Sequence, residues 1–155
     1  MFRIMLKINL ITAIIITTLL SSCGFHTPYK NSSINAFITS DKNNLFADEL
    51  KKRFNQEAPQ TLTIKIDSEG QNKQTSSYSS DGKTSGYTLS LNIPVKVISS
   101  DNKLLLSQDL TASTHLSKIT SSTQADRLQI EEGYTQLRNT IIKRLLRKLS
   151  KLNEN

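Results

Sequence analysis

Residues 87–97 read YTLSLNIPVKV, and this stretch decides the fold because apolar and polar side chains alternate along it without a break. Its odd-numbered positions are all apolar, and its even-numbered positions are Thr, Ser, Asn, Pro and Lys. Successive side chains of a β-strand point to opposite faces, so the stretch predicts a long strand with one buried face. Pro94 has no backbone N–H, which predicts an edge position or a β-bulge there.

Three further strands are predicted around this one. Residues 34–39 and 61–66 alternate in the same way, and residues 104–116 do so with an interruption at Gln108. The apolar face of this last strand is predicted to consist of Leu104, Leu106, Leu110, Ala112 and Leu116. Residues 67–84 are polar, and Asp81-Gly82 within them is a strong signal for a hairpin turn.

Two helices complete the pattern. The first is indicated by apolar residues at helical spacing after the cap-rich residues 41–44, namely Leu45, Phe46, Leu50 and Phe54. The second follows Ser121 and Gln124, which have capping-box spacing, and its apolar stripe is Ile130, Tyr134, Leu137, Ile141, Leu145, Leu149 and Leu152. The order β-α-β-β-β-α predicts an α+β fold, with a four-stranded mixed sheet and both helices packed on one face.

The first 22 residues predict an export signal. Arg3 and Lys7 precede an apolar run over residues 8–20, which is short for a membrane span. Leu20-Ser21-Ser22-Cys23 follows, and a cysteine behind an apolar and two small residues is the pattern that lipoprotein signal peptidases cleave. The cysteine thiol then carries the lipid. The alternative is a short transmembrane anchor with an incidental cysteine.

The chain is therefore expected to consist of a signal peptide (1–22), a lipidated tether (23–33), one domain (34–152) and a tail (153–155). Loss of the two signal-peptide cations lowers the net charge from +7 to +5. Several acyl chains on Cys23 would hold the protein on a membrane stably. Export excludes nucleic acid as a partner and leaves lipid headgroups, cell-wall polymers and lipopolysaccharide as anionic partners.

The sequence contains no convincing catalytic constellation. Gly82-Lys83-Thr84 lacks the earlier glycine of a phosphate-binding loop, and two histidines with one cysteine cannot build the usual zinc site. Asp67 and Glu69 are expected in a solvent-exposed loop. Residues 138–151 hold six cations and no acid, which indicates either a solvated helix face or an anion site. We expect a protein that is not an enzyme and that has no cofactor besides the lipid on Cys23.

These features together resemble the LptE family of lipopolysaccharide-assembly lipoproteins. The similarity rests on Cys23-Gly24-Phe25-His26, on the order of strands, helices and turns, and on Glu131-Glu132-Gly133-Tyr134. It implies an outer-membrane lipoprotein, anchored on the periplasmic side, that plugs the LptD β-barrel, supports its assembly and helps deliver lipopolysaccharide. Gly24 after the cysteine, by resemblance to bacterial lipoproteins, permits sorting to the outer membrane.

The resemblance also implies cations near one end of the sheet that contact lipid A phosphates. Candidates in this sequence are Lys73, Lys83 and Lys118, while Asp81 at the hairpin tip places a repulsive charge beside them. The alternative is another small lipoprotein that binds a protein in the periplasm, either a pilotin or an activator of a cell-wall synthase.

The predicted lipid attachment can be tested directly. Mass spectrometry of the mature protein should show an acylated Cys23 as the first residue, because the thiol is the group that accepts the lipid. An unmodified chain that still carries residues 1–22 would contradict this prediction.

Overall fold

A computed structural model describes residues 34–118 and 122–153. The predicted signal peptide, Cys23, the tether and Ser121 lie outside the described residues. The elements in chain order are β1 (Asn35–Ser40), α1 (Leu45–Lys51), β2 (Gln60–Ile66), β3 (Gly70–Tyr78), β4 (Thr84–Ser99), β5 (Leu104–Ser117) and α2 (Thr123–Asn153). The predicted α+β class is confirmed.

β4 is the central strand and has neighbours along both edges. One edge pairs antiparallel with β5 along nearly its whole length. The other edge pairs antiparallel with β3 over residues 84–92 and with β2 over residues 95–99. β1 joins the outer edge of β2 in parallel, so the sheet is mixed, as expected.

The sheet has five strands and not the four that the sequence predicted. The additional strand is β3, which lies in the stretch predicted to be a polar turn and is exposed along almost its whole length. Its ladder with β4 holds it in place without an apolar face. The predicted turn at Asp81-Gly82 joins β3 to β4, and Gly82 has the positive φ of 78° that this kind of turn requires.

Pro94 lies neither on an edge strand nor at a bulge, although one of these was predicted. It sits in the middle of β4, where the neighbour on one side changes from β3 to β2. Its carbonyl oxygen accepts a hydrogen bond from the Asp67 N–H on that side, at 3.2 Å. The amide nitrogen of a strand residue points to the same side as its carbonyl, so the missing N–H faces the break between the two neighbours.

The core lies on one side of the sheet, as predicted. All six apolar side chains of 87–97 are buried, and α2 covers them with the predicted stripe from Tyr134 to Leu149. Gly133 permits the close approach of α2 to β4, because a Cβ atom at this position would lie 2.7 Å from the Cδ1 atom of Leu89. Within the described part of the chain, neither helix combines the length and apolar character needed to cross a membrane.

Two apolar residues do not occupy the predicted face. Leu104 was assigned to the buried side of β5, but it is 55% exposed and pairs with Ile98 on the open side. A β-bulge between the pairs of Val97 and Ile98 inserts one extra residue into β5 and reverses the alternation. Leu45 opens α1 and is 56% exposed, whereas Phe46 and Leu50 are fully buried.

α1 is shorter than its apolar pattern suggested. The side chain of Asn44 accepts a hydrogen bond from the Ala47 N–H at 3.0 Å and caps the helix. The helix ends at Lys51, so Phe54 lies beyond it, although its ring is still buried in the core. The predicted cap position and the buried apolar residues are thus correct, but the length is not.

A buried charge should unfold this domain. Ile141 has no exposed surface, and Ile141→Asp places an unpaired carboxylate in the core, at a cost of about 4 kcal/mol or more. Thermal unfolding followed by circular dichroism should show loss of the folded state, and Leu91→Asp should behave alike. Leu128→Asp is the matched control, because Leu128 lies on the same helix and is 55% exposed. Equal melting temperatures for all variants would contradict the assignment of faces.

Candidate functional site

A shallow groove separates β3 from the first half of α2. The helix lies over β4 and β5, so the side of β3 that faces the helix layer stays uncovered. The groove has a volume of about 330 Å³. It is lined by Gln71, Lys73, Thr123, Asp126, Arg127, Ile130, Glu131 and Tyr134. One of the three predicted lysines, Lys73, therefore lies in this groove.

Lys73 and Lys118 are brought together by a tyrosine–aspartate pair. The Tyr87 hydroxyl donates to Oδ2 of Asp126 at 2.9 Å, and the Nζ atom of Lys118 lies 3.9 Å from the same oxygen. The Nζ atom of Lys73 lies 4.9 Å from the centre of the Tyr87 ring, within the range of a cation–π contact. Burial, followed by the hydrogen bond to Asp126, raises the pKa of Tyr87, so the phenol keeps its proton.

One oxygen atom of the Asp126 carboxylate is buried without a partner. Its Oδ1 atom is buried and has no hydrogen-bond partner among the described residues. A buried acceptor without a partner costs free energy, so this carboxylate is held by the contacts of its Oδ2 atom with Tyr87 and Lys118. The groove thus combines a cation, an aromatic ring and a largely buried carboxylate.

Lys83, the third candidate, lies apart at the hairpin tip. Its Nζ atom pairs with Oδ2 of Asp81 at 2.9 Å, and its N–H donates to Oδ1 at 3.2 Å. The hydrogen bond from Ser79, followed by those from Lys83, lowers the pKa of Asp81 to about 2. Asp81 is therefore the ion-pair partner of Lys83 and compensates its charge at the tip.

The feature that sequence reasoning missed is a buried ion pair behind the groove. Arg138 was counted in the exposed basic run and Glu69 in a solvent-exposed loop, yet their side chains are only 6% and 11% exposed. The Nε atom of Arg138 donates to both Glu69 oxygens, at 3.1 and 2.9 Å, and Nη2 donates to Oε1 at 2.8 Å. The hydrogen bonds with Glu69 raise the pKa of Arg138.

A second carboxylate lies close to this pair. Burial raises the pKa of Glu49 on α1, while the charge of Arg138 acts in the opposite direction. Its Oε2 atom is buried and has no partner among the described residues. The negative charge of Glu69, after burial, also raises the pKa of Tyr134. Arg138 therefore connects α2 electrostatically with α1 and with the loop that leads into β3.

Four of the five other cations in residues 138–151 divide into two groups. Arg144 donates to the carbonyl oxygen of Thr111 at 2.9 Å, and Lys148 donates to the side chain of Gln108, so both hold α2 on β5. Lys143 and Arg147 lie on the exposed side of the helix, where the Arg147 Nε atom donates to the Lys143 carbonyl at 3.3 Å. The solvated-face interpretation is therefore correct for only part of the run.

No metal site is evident in the described residues. No group of three or more His, Cys, Asp and Glu side chains there could hold a metal ion. His115 lies on the open face of the sheet, where its Nδ1 atom is 3.0 Å from the Ser76 hydroxyl oxygen. His26 and Cys23 lie outside the described residues.

The fold and the lipoprotein-like sequence define the class, a small α+β domain of the kind found in envelope lipoproteins. The chain belongs to the LptE family, because a model of that family, described as Lipopolysaccharide-assembly, matches residues 32–149. The family resemblance found in the sequence is thereby confirmed. A comparison with curated proteins gave no match.

Solved structures share the fold at low sequence identity. Rare lipoprotein B from Shewanella oneidensis superposes with a TM-score of 0.66 at 12% identity, over 77% of this chain and 96% of that one. Lipoprotein B from Nitrosomonas europaea gives 0.61 at 18% identity, over 78% and 84%. A minor lipoprotein from Acinetobacter baumannii gives 0.55 at 8% identity, over 79% and 94%.

The buried ion pair predicts a large asymmetry between two arginines of α2. Arg138→Met leaves Glu69 buried without its cationic partner, although Gln71 still donates to it, and should lower the free energy of unfolding by about 3–5 kcal/mol. Arg127→Met removes an exposed pair with Glu131, whose side chains are 75% and 57% exposed, and should cost less than about 1 kcal/mol. Urea denaturation measures both changes.

A double variant provides the internal control. Glu69→Leu in the Arg138→Met background removes the carboxylate that has lost its arginine, so the pair of substitutions should cost less than the sum of the single ones. Strict additivity, or an equal small loss for both arginine variants, would show that the ion pair is not a buried structural contact.

Proposed function

We propose that this protein is the outer-membrane lipoprotein that occupies the lumen of an LptD-type β-barrel and supports the assembly of that barrel. The lipid on Cys23 anchors it on the periplasmic side. The family match over residues 32–149 supports a role in lipopolysaccharide assembly. The observation that carries the plug role is the open face of the sheet.

The open face is rich in uncharged polar side chains where β3, β4 and β5 run side by side. Each row across the three strands consists of directly paired residues, for example Asn72, Ser90 and Ser113. The residues in these rows are Gly70, Asn72, Gln74, Thr88, Ser90, Asn92, Thr111, Ser113 and His115. The lumen of a large membrane barrel is polar and wet, so such a face can form many hydrogen bonds with it.

We place the contact with lipopolysaccharide in the groove between β3 and α2. A lipid A headgroup carries phosphates on sugars that also bear hydroxyl groups. Lys73 in the groove and Lys118 beside it can pair with such a phosphate. Lys83 has its charge compensated by Asp81, so its contribution to phosphate binding is smaller.

Barrel support and lipopolysaccharide binding can be separated by substitution. We expect the triple variant Lys73→Ala/Lys83→Ala/Lys118→Ala to remain co-purified with its barrel from detergent-solubilised outer membrane. The same variant should bind purified lipopolysaccharide more weakly, with a smaller dependence on salt. Each exposed cation contributes about 1 kcal/mol or less, so the three are replaced together.

Changes of shape on the open face should have the opposite effect. Ser90→Phe/Asn92→Phe introduces bulk where the barrel wall is proposed to lie and should abolish co-purification while the domain stays folded. Gln56→Phe, which introduces the same bulky side chain in an exposed turn, is the control. A folded triple-lysine variant that loses its barrel, or recovery of a secretin or a cell-wall synthase in place of a barrel, would overturn the proposal.

A further inference from the structure

A second surface lies on the same open face, at the end formed by β1, β2, β4 and β5. Lys65 of β2 and Lys96 of β4 are direct cross-strand partners there, and both are exposed. In the next row, Phe37 pairs with Thr63, Thr63 with Ile98, and Ile98 with Leu104. We call the set of Phe37, Lys65, Lys96, Ile98 and Leu104 the basic sheet patch.

The two lysines are an unfavourable arrangement for a surface that stays in water. Cβ atoms of directly opposite residues lie about 4.5–5.5 Å apart, and like charges at that separation destabilise a sheet. The row of the two lysines continues to Thr39 and Ser107, which cannot compensate them. Asp67 and Asp109 lie one row away, on either side of Pro94, and no ion pair joins either of them to the two lysines within the described residues. An anion between the lysines would relieve this repulsion.

The apolar row beside the lysines is also unusual for a free surface. Phe37 is 57% exposed and Leu104 is 55% exposed, and both belong to the five most exposed large apolar side chains of the described chain. The row crosses four strands, so it spans about 14 Å at the usual spacing of strands. Cations beside exposed aromatic and aliphatic side chains are typical of surfaces that lie at a membrane interface.

We infer that the basic sheet patch docks on the surface of a bilayer that contains anionic phospholipids. The lysines would contact the phosphates, and Phe37 and Leu104 would enter the interface. The chain before the domain favours this occupant, because β1 directly follows the tether. Fully extended, the segment from Cys23 to Ile34 spans at most about 40 Å, which keeps the patch close to the anchoring membrane.

This inference rests on the proposed lipid anchor but concerns a different contact. The face that docks on lipid is also the face proposed to meet the barrel wall, so the two contacts exclude each other. An acidic surface of a partner protein is the competing occupant. A flat patch on the strand that follows the tether favours the bilayer, and the experiment below distinguishes the two.

Docking can be followed by the fluorescence of one introduced tryptophan, because the sequence contains no other tryptophan. Phe37→Trp, made in the full lipidated protein, places a single fluorophore in the patch. The emission should shift to shorter wavelength on vesicles of phosphatidylcholine with phosphatidylglycerol, but not on phosphatidylcholine alone. The shift should disappear in 1 M salt, where the Debye length falls to about 3 Å. Tyr78→Trp is the matched reporter outside the patch, with a side chain 68% exposed, and should not shift.

Charge variants in the Phe37→Trp background locate the contact. Lys65→Gln/Lys96→Gln should abolish the shift. Lys143→Gln/Arg147→Gln removes the same charge from the exposed side of α2 and should leave it intact. A shift lost equally in both variants, an equal shift on neutral vesicles, or no shift at all would overturn the inference. A shift that appears only when the barrel protein is added would assign the patch to a protein partner and also refute bilayer docking.

Flotation with neutral vesicles separates this inference from the proposed anchor. A chain that does not float has no lipid anchor, and the proposed function then fails. Tryptophan emission is measured at the same lipid concentration whether or not the chain floats with neutral vesicles. A shift on anionic vesicles then supports docking, and the absence of a shift refutes it.

Discussion

The structure depends on the requirement that β4 buries one face only and pairs along both edges. Its six apolar side chains all need cover on the same side, so α1 and α2 have to share that side. Its two edges bind three strands, because β2 and β3 each occupy half of one edge. The apolar sides of both helices are therefore used for stability, and the open face and the groove between β3 and α2 remain available for contacts with partners.

The ion pair of Arg138 and Glu69 lies where this arrangement is least regular. Glu69 directly precedes β3, close to the point at which β4 exchanges one neighbour for the other. The bidentate contact fixes the loop against α2, and the charge of Arg138 also acts on Glu49 of α1. Burial of charges costs free energy that their attraction only partly recovers, so the value of such a pair lies in the geometry it imposes. Here that geometry includes the start of β3, and hence one wall of the groove.

The sequence predicted the elements whose stability comes from burial and missed those held by other means. Alternation in 87–97 and the stripe of α2 each reflect apolar contact, which leaves a readable period. β3 has no apolar face, so its ladder with β4 left no such signal. The wrong face was predicted for Leu104 because a β-bulge shifts the alternation by one residue and leaves no signal in the composition.

The burial of Arg138 was predictable from the sequence, unlike strand β3 and the exposure of Leu104. Arg138 follows Tyr134 by four residues and precedes Ile141 by three, so it lies on the apolar stripe itself. A charge at such a position predicts a buried partner of opposite sign, and Glu69 was available. The site was less predictable, because Lys73 and Lys118 meet only through the fold, across Tyr87 and Asp126.

The candidate lysines implied by the family resemblance and those of the basic sheet patch differ in whether they have partners. Each lysine implied by the family resemblance has a partner of its own, Asp81 for Lys83, Asp126 for Lys118 and the Tyr87 ring for Lys73. A phosphate that binds there must compete with two carboxylates, which weakens the net attraction but makes the geometry of the ligand matter. Lys65 and Lys96 repel each other, and no ion pair compensates either of them within the described chain. An anionic surface therefore gains more electrostatic energy at the basic sheet patch, whereas the groove is better suited to discriminate among individual headgroups.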